Sequence, residues 1–228
     1  FGKRGKGHVR FALTMPVERI KEAVKAIEVG IGMVADLKEK GYNVLATGEM
    51  GIGNTTTSSA VCSVLLDQSV EKVTGKGAGL TNKDLEHKIE VIRQSIALNK
   101  VNADDPLDVL AKVGGLDIAG MAGCYIGGAA LNIPVFIDGF ISSVAALIAI
   151  RLVPECAPYL FPSHCSNEPA GRMILDAIGK QPYIFANMCL GEGTGAVMGF
   201  TIADYAFKAY WELPSFEQTN FGTYEELN

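Results

Sequence analysis

Apolar positions recur along the chain at helical spacing in some stretches and run together in others. Val17, Ile20, Val24, Ile27, Ile31 and Val34 return every three or four residues, the stripe of a helix lying on a core. Thr14 stands where that helix would be capped, Pro16 falls in its first turn, and Gly41 ends it. Tyr42 to Thr47 then predicts a strand. The stretch Thr57 to Leu66 is helix-like. Leu85, Ile89, Ile92 and Ile96 mark the buried side of a further helix, opened by the capping-box pattern Thr81-Asn82-Lys83-Asp84, with Lys88 and Arg93 elsewhere on it. Asp105-Pro106 predicts an N-cap and N1 pair, and Gly114-Gly115 closes that helix. Ile118 to Leu131 is rich in Gly and Ala, which suits a helix packed tightly on a neighbour. Ile133 to Ile137 is apolar throughout, the mark of a strand covered on both faces. A helix follows from Ser142 to Val153, then a short strand at Tyr159-Leu160-Phe161 and a helix from about Ala170 to Ile178. Pro182 to Met188 is the last strand-like run, and a final helix reaches about Tyr210.

This alternation predicts an α/β fold: a mostly parallel, Rossmann-like sheet with helices on both faces and helical elements at the termini. No repeat or low-complexity linker divides the chain, so residues 1–210 are read as one domain and 211–228, polar and acidic, as a C-terminal tail. In such sheets ligands bind outside the carboxyl ends of the strands. The loops after Thr47, Ile137, Phe161 and Met188 are polar and glycine-rich, and several could meet at one cleft.

The first of these loops, Gly48-Glu49-Met50-Gly51-Ile52-Gly53-Asn54-Thr55-Thr56-Thr57, joins a strand to a helix start. Its glycines permit positive φ and close backbone approach, and it empties onto a helix N-terminus, which favours an anion such as phosphate. The spacing imitates a P-loop, but Asn54 stands where the lysine belongs, which counts against an NTPase. Lys88 is a candidate cation from a neighbouring helix; most such lysines are only solvated. In Leu190-Gly191-Glu192-Gly193-Thr194-Gly195-Ala196, glycines on both sides present Glu192 to a ligand. Apolar neighbours would make its pocket partly dry, raising the carboxylate into the range of a general base. Glu49 is either a second acid–base or ribose-binding group, or a helix cap. Asp138 either binds sugar hydroxyls or pins its turn. Ser166 and Asn167 could donate to hydroxyls or phosphate, His164 is as much a structural hydrogen-bonder as a catalyst, and Cys189 reads as an inert thiol. No G-x-S-x-G elbow supports a serine triad.

The 228 residues are 48% hydrophobic, enough for one sizeable core. A net charge of −5 and a single basic cluster, Lys3 to Arg10, give no face suited to nucleic acid. Five cysteines without C-x-x-C, and three scattered histidines, point to neither a disulfide framework nor zinc, and favour a reduced cytoplasmic protein. No apolar run approaches the roughly 20 residues of a membrane span, and no stretch of this sequence reads as a signal peptide. The chain opens on Phe1, so length and charge describe this stretch alone.

Four motifs, Gly48 to Thr57, Asp138-Gly-Phe-Ile141, Ser163-His-Cys-Ser-Asn-Glu-Pro169 and Leu190 to Ala196, carry a resemblance in their order and intervals. The chain resembles the nicotinate-nucleotide–dimethylbenzimidazole phosphoribosyltransferase family, which builds the lower-ligand nucleotide of cobalamin. The resemblance implies transfer of phosphoribose from nicotinate mononucleotide to 5,6-dimethylbenzimidazole, without metal or cofactor, in a homodimer. It implies Glu192 as general base and Glu49 as its helper. Gly51, Gly53, Asn54, Thr55 and Lys88 would hold the phosphate, while Asp138, Ser166 and Gly191 would line the ribose and nicotinate region. Met188 and Leu190 would face the acceptor base. Family members carry a further N-terminal segment with a Gly-Ser-Leu-Gly motif, so this chain would correspond to their larger C-terminal part. Two rivals are a P-loop-like nucleotide hydrolase and a ligand-binding domain without full activity.

Overall fold

The computed structural model describes residues 16–219. The expected cap at Thr14 and the basic cluster Lys3 to Arg10 lie outside them. The long first helix α1 (Pro16–Glu39) is followed by strand β1 (Leu45–Ala46) and helices α2 (Asn54–Leu65), α3 (Val70–Val73), α4 (Asn82–Asn99), α5 (Pro106–Val113) and α6 (Leu116–Ala130). Strand β2 (Val135–Ile137), helix α7 (Phe140–Leu152), a 3-10 turn at Pro154–Tyr159 and strand β3 (Leu160–Pro162) come next. Helices α8 (Gly171–Ala177), α9 (Thr194–Glu212) and α10 (Phe216–Thr219) complete the described residues. α9 thus continues past the expected boundary at residue 210. Among the described residues no helix is long and apolar enough to cross a membrane.

The three strands form one parallel sheet in the order β1-β2-β3, with Leu45 beside Val135 and Val135 beside Leu160. The fold is α/β, although helices make up most of it. β2 takes the central place because Val135, Phe136 and Ile137 are apolar on both sides. Val135 and Ile137 join the main core with α6 and α7. Phe136 faces the opposite way and stacks with Phe161 and edge-on with Phe200 of α9. α7 is buried from Phe140 to Ala149 and apolar nearly all round, as a helix enclosed in a core must be.

Several local expectations meet their partners. Thr81 caps α4 by accepting from the Asp84 N–H at 3.2 Å, and donates its hydroxyl to the Asp84 carboxylate at 2.7 Å, in place of the box's bond from the Asp84 side chain to the Thr81 N–H. Asp105 caps α5 through the N–H groups of Leu107 and Asp108. Thr47, just past β1, sits 2.6 Å from the Tyr125 hydroxyl, which donates on to Ser142 O. That chain ties the end of β1 to α6 and α7.

Two strand expectations are corrected. The run Tyr42 to Thr47 pairs only at Leu45–Ala46, being an edge with one neighbour. Pro182 to Met188 is not a strand. It makes a single bridge, Ile184 to His164, because Pro182 has no N–H to give and Asn187 turns to φ 50°.

The Gly/Ala-rich α6 lies backbone-to-backbone on α1. A Cβ at Gly123 would stand 2.1 Å from Ile27 O, and one at Gly30 2.1 Å from Gly120 O. Gly123→Ala is therefore expected to destabilise. Overpacking of this kind costs about 1–3 kcal/mol, more than the roughly 1 kcal/mol that alanine gains in a helix. Chemical denaturation should show a lower midpoint at unchanged slope.

Candidate functional site

The carboxyl ends of β1, β2 and β3 open onto one cavity of about 290 Å³. Glu49, Gly51, Thr55, Ser166, Leu190, Gly191 and Glu192 line it, together with Met50, Ile52, His164 and Glu168. The structure thus brings residues of the first and last glycine-rich loops together from distant parts of the sequence. The two loops touch through their backbones. Glu192 N–H donates to Glu49 O at 2.9 Å, and a Cβ on Gly48 would fall 2.4 Å from Gly193 N.

α2 begins after Gly53, which adopts φ 87°, and no side chain caps its free N–H groups. That left-handed turn is open to glycine at no steric cost. Lys88 approaches the same end from α4, donating to Thr55 Oγ1 at 2.9 Å and to Gly75 O at 3.0 Å. Two of its three donors are thereby used. Sequence periodicity had put Lys88 off the buried side of α4; it is 5% exposed. It lies one helical turn before the buried Ile92, on the face turned toward α2. Burial lowers the pKa of its ammonium, partly opposed by the charge of Glu168.

Asn54 does not line the cavity. Its side-chain amide donates to Glu49 Oε2 at 2.8 Å and to Asp117 Oδ2 at 2.9 Å, so it orients carboxylates. Gly51 N–H also donates to Glu49 Oε2. Burial raises the Glu49 pKa above the ordinary carboxylate value; the bonds from Asn54 and Gly51 oppose the rise, and the charges of Asp138 and Asp117 add to it. Ionised Glu49 is thus disfavoured by folding, and stability from this group falls as pH rises above its unfolded value. Glu49→Gln keeps an oxygen for both donors. It is expected to unfold at a higher temperature than the parent at pH 7, with the gap closing as pH is lowered toward the ordinary carboxylate value, and to lose turnover. Thermal melts at several pH values check this.

Glu192 is exposed and holds φ 62°. The partly dry pocket expected around it is not formed in this chain, because Leu190 turns outward to solvent instead of covering the carboxylate. Its left-handed backbone is uncommon for a side chain of this size, a strain found at functional sites.

Asp138, at the end of β2, is wholly buried and does not line the cavity. Its Oδ2 accepts from Gly193 N at 3.0 Å, and its Oδ1 from Gly195 N at 2.8 Å and Ala196 N at 3.1 Å. Of its two sequence readings, pinning a turn matches this geometry, and it leaves no oxygen turned toward a sugar. His164 is buried beside Ser163, whose Oγ is 3.0 Å from its Nδ1. Burial lowers its pKa, against the pull of Asp138. Ser166 accepts from Glu168 N–H. Met188 stands back from the cavity, its carbonyl accepting from Asn167 N–H at 2.9 Å.

Sequence reasoning missed three contributors. Glu168 is a third carboxylate on the wall and the counter-charge of Lys88; it sat inside the Ser163–Pro169 motif without a role. Met50 and Ile52 are exposed apolar side chains at the mouth, beside Leu190. Their signal was two apolar residues between glycines in a polar loop. Among the described residues a larger groove, about 740 Å³, lies elsewhere, between α9 and the outer face of the sheet, and is mostly apolar, with Asp204 on its wall.

A phosphoribosyltransferase family model matches residues 10–221. A nicotinate-nucleotide–dimethylbenzimidazole phosphoribosyltransferase of Ruminiclostridium cellulolyticum is 53% identical over 212 residues, 93% of this chain and 60% of that protein. The enzyme of the same name from Acetivibrio thermocellus is 50% identical over 210 residues, 92% of this chain and 60% of its own length. The crystal structure of CobT from Thermus thermophilus superposes with a TM-score of 0.83 at 32% identity, covering 89% of this chain and 60% of that one. The chain therefore spans about 60% of the length of these relatives.

Proposed function

Because the chain belongs to the nicotinate-nucleotide–dimethylbenzimidazole phosphoribosyltransferase family, we propose that it forms the larger part of an enzyme transferring phosphoribose from nicotinate mononucleotide to 5,6-dimethylbenzimidazole or a related base. The products are α-ribazole 5′-phosphate and nicotinate, for cobalamin synthesis. The observation that carries this reading is the joining of an uncapped helix N-terminus with a buried lysine, on one side of the cleft, to a loop presenting a glutamate on the other.

The 5′-phosphate meets the first turn of α2, with the remaining donor of Lys88 and the Thr55 hydroxyl. Fixed there, it supplies remote binding energy that holds C1′ near the loop of Glu192. As the C1′–N bond breaks, its electron pair returns to the pyridinium nitrogen, which leaves as nicotinate. Positive charge spreads over the ribose, where the carboxylates of Glu49 and Glu168 offset it. One benzimidazole nitrogen bonds to C1′ while Glu192 takes the proton from the other. Met50, Ile52 and Leu190 offer apolar surface to the bicyclic base; Ser166 and Gly191 flank the ribose and nicotinate.

The finer parts of the reading have their own support. A parallel sheet with helices on both faces supports the Rossmann-like description. Five unpaired cysteines support a cytoplasmic protein. The apolar groove along α9 supports a homodimer.

The test is an assay of the enzyme with nicotinate mononucleotide and dimethylbenzimidazole, following nicotinate and the ribazole phosphate. Equal release of the two supports transfer. Nicotinate released without the ribazole product, or no reaction at all, overturns it.

A further inference from the structure

Both glycine-rich loops of the cleft run onto a helix, yet the two helix ends are finished differently. α2 presents its first N–H groups without a side-chain cap. The corresponding groups of α9, a helix of 19 residues, are taken by Asp138 from the end of β2. A buried carboxylate is costly unless it is hydrogen-bonded, and here three N–H donors and the positive end of the helix compensate it. The fit is close. A Cβ on Gly195 would stand 2.9 Å from Asp138 Oδ1 and 2.1 Å from His164 Nδ1.

The contact bears directly on Glu192. Asp138 Oδ2 holds the peptide N–H immediately after Glu192, and Glu49 O holds the N–H of Glu192 itself. The glutamate is gripped on both sides at φ 62°, as a strained conformation must be if it is to persist. Without the first grip the backbone is free to relax and the carboxylate to wander.

We propose that Asp138 is a positioning residue for the transfer: an internal anion that closes the N-terminus of α9, locks the Glu192 loop, and leaves α2 as the end that receives the substrate's phosphate. The proposal rests on the phosphoribosyl-transfer reading above. It replaces a ribose contact at Asp138 with an electrostatic plug. A nucleotide entering a cleft with two open helix ends could lie either way round; with one end plugged by a carboxylate, only one orientation is favourable.

The experiment compares Asp138→Ala and Asp138→Asn with the parent enzyme. It measures binding of inorganic phosphate by calorimetry, kcat and KM for nicotinate mononucleotide, and the response of kcat to formate. Asp138→Ala is expected to lose about 100-fold in kcat, the scale of a small misplacement of a reacting group. KM and phosphate affinity should stay within about threefold of the parent, since substrate binding at α2 is untouched. Formate fits the space vacated by the carboxylate and returns the charge, so it should recover about tenfold in kcat. It should do nothing for Asp138→Asn, where the space is filled, or for Glu192→Gln. A kcat unchanged in both variants overturns the proposal. So does a loss shared equally by kcat and phosphate affinity with no formate response, which would make Asp138 a prop of the fold alone. If Asp138→Ala does not fold, the kcat and phosphate affinity of Asp138→Asn decide on the same terms. A parent that binds no phosphate, or whose binding is indifferent to Lys88→Met, overturns the transfer reading instead.

Discussion

Glutamine at position 192 should leave nicotinate mononucleotide binding close to that of the parent and lower turnover by about 10²–10⁴-fold, the range for loss of a general base. The amide has the shape of the carboxylate but cannot take a proton from the incoming base. Backbone interactions are not at stake. The N–H groups of Glu192 and Gly193 bind Glu49 O and Asp138 whatever the side chain is, and glutamine carries the same strain at φ 62°. The melting temperature should therefore not move, and KM should change little, which separates lost chemistry from lost structure. Steady-state kinetics on the two proteins decide the matter. Turnover near that of the parent would remove Glu192 from the mechanism.

The second large effect is expected at Lys88. Lys88→Met removes the cation at the uncapped end of α2 and should weaken binding of nicotinate mononucleotide and of inorganic phosphate by about 10–100-fold, the worth of a charge-assisted hydrogen bond. Calorimetry with phosphate measures it without any need for turnover. The fold should respond in the opposite sense. Burial disfavours the charged ammonium, so stability from this group is lowest while it is protonated and rises as pH climbs through its depressed value toward the unfolded one. Methionine, similar in length and uncharged, should melt higher than the parent at pH 7, with the gap narrowing at alkaline pH. A site residue whose removal stabilises the protein is the expected signature of a group retained for function.

The parts of the fold legible in sequence were those decided locally. Thr81 with Asp84, Asp105 with Pro106, and the unbroken run Ile133 to Ile137 each carry their instruction within a few residues. The glycine seam of α6 was legible as a demand for close packing, though not which helix would answer it. What escaped was whatever depends on a distant partner. Pro182 to Met188 has the composition of a strand, but a strand needs a neighbour to pair with, and here one bridge is all it finds. Lys88 was a candidate cation whose partners could not be named, because Thr55, in the first turn of α2, and Gly75, in a separate loop, lie far from it in sequence. The dry pocket around Glu192 failed for the same reason: apolar neighbours in sequence do not cover a carboxylate unless the turn folds them over it.

For the site itself, sequence located the loops and the structure shows which of their groups meet. Each of the two glycine-rich loops runs onto a helix N-terminus. Only the buried carboxylate of Asp138 distinguishes them, and it comes from 55 residues before Gly193. The side chain of Asn54, which the resemblance places at the phosphate, bonds Glu49 and Asp117 in this structure.

The sheet pairs Leu45 with Val135 and Val135 with Leu160. Continuing that register sets Thr47 beside Ile137, and Ser163 beside Asp138. Sliding one strand by a single residue would carry its loop about 3.3 Å and swing each side chain to the opposite face. Strands of two and three residues offer few ladder bonds against such a slip. The resistance comes from side chains at their ends: Thr47 latched to Tyr125, and Ser163 donating to Ile137 O at 2.8 Å. These hydroxyls do not line the cavity, yet they act as alignment pins for the loops that do. Damage to them would appear as chemistry out of true in a protein that still folds.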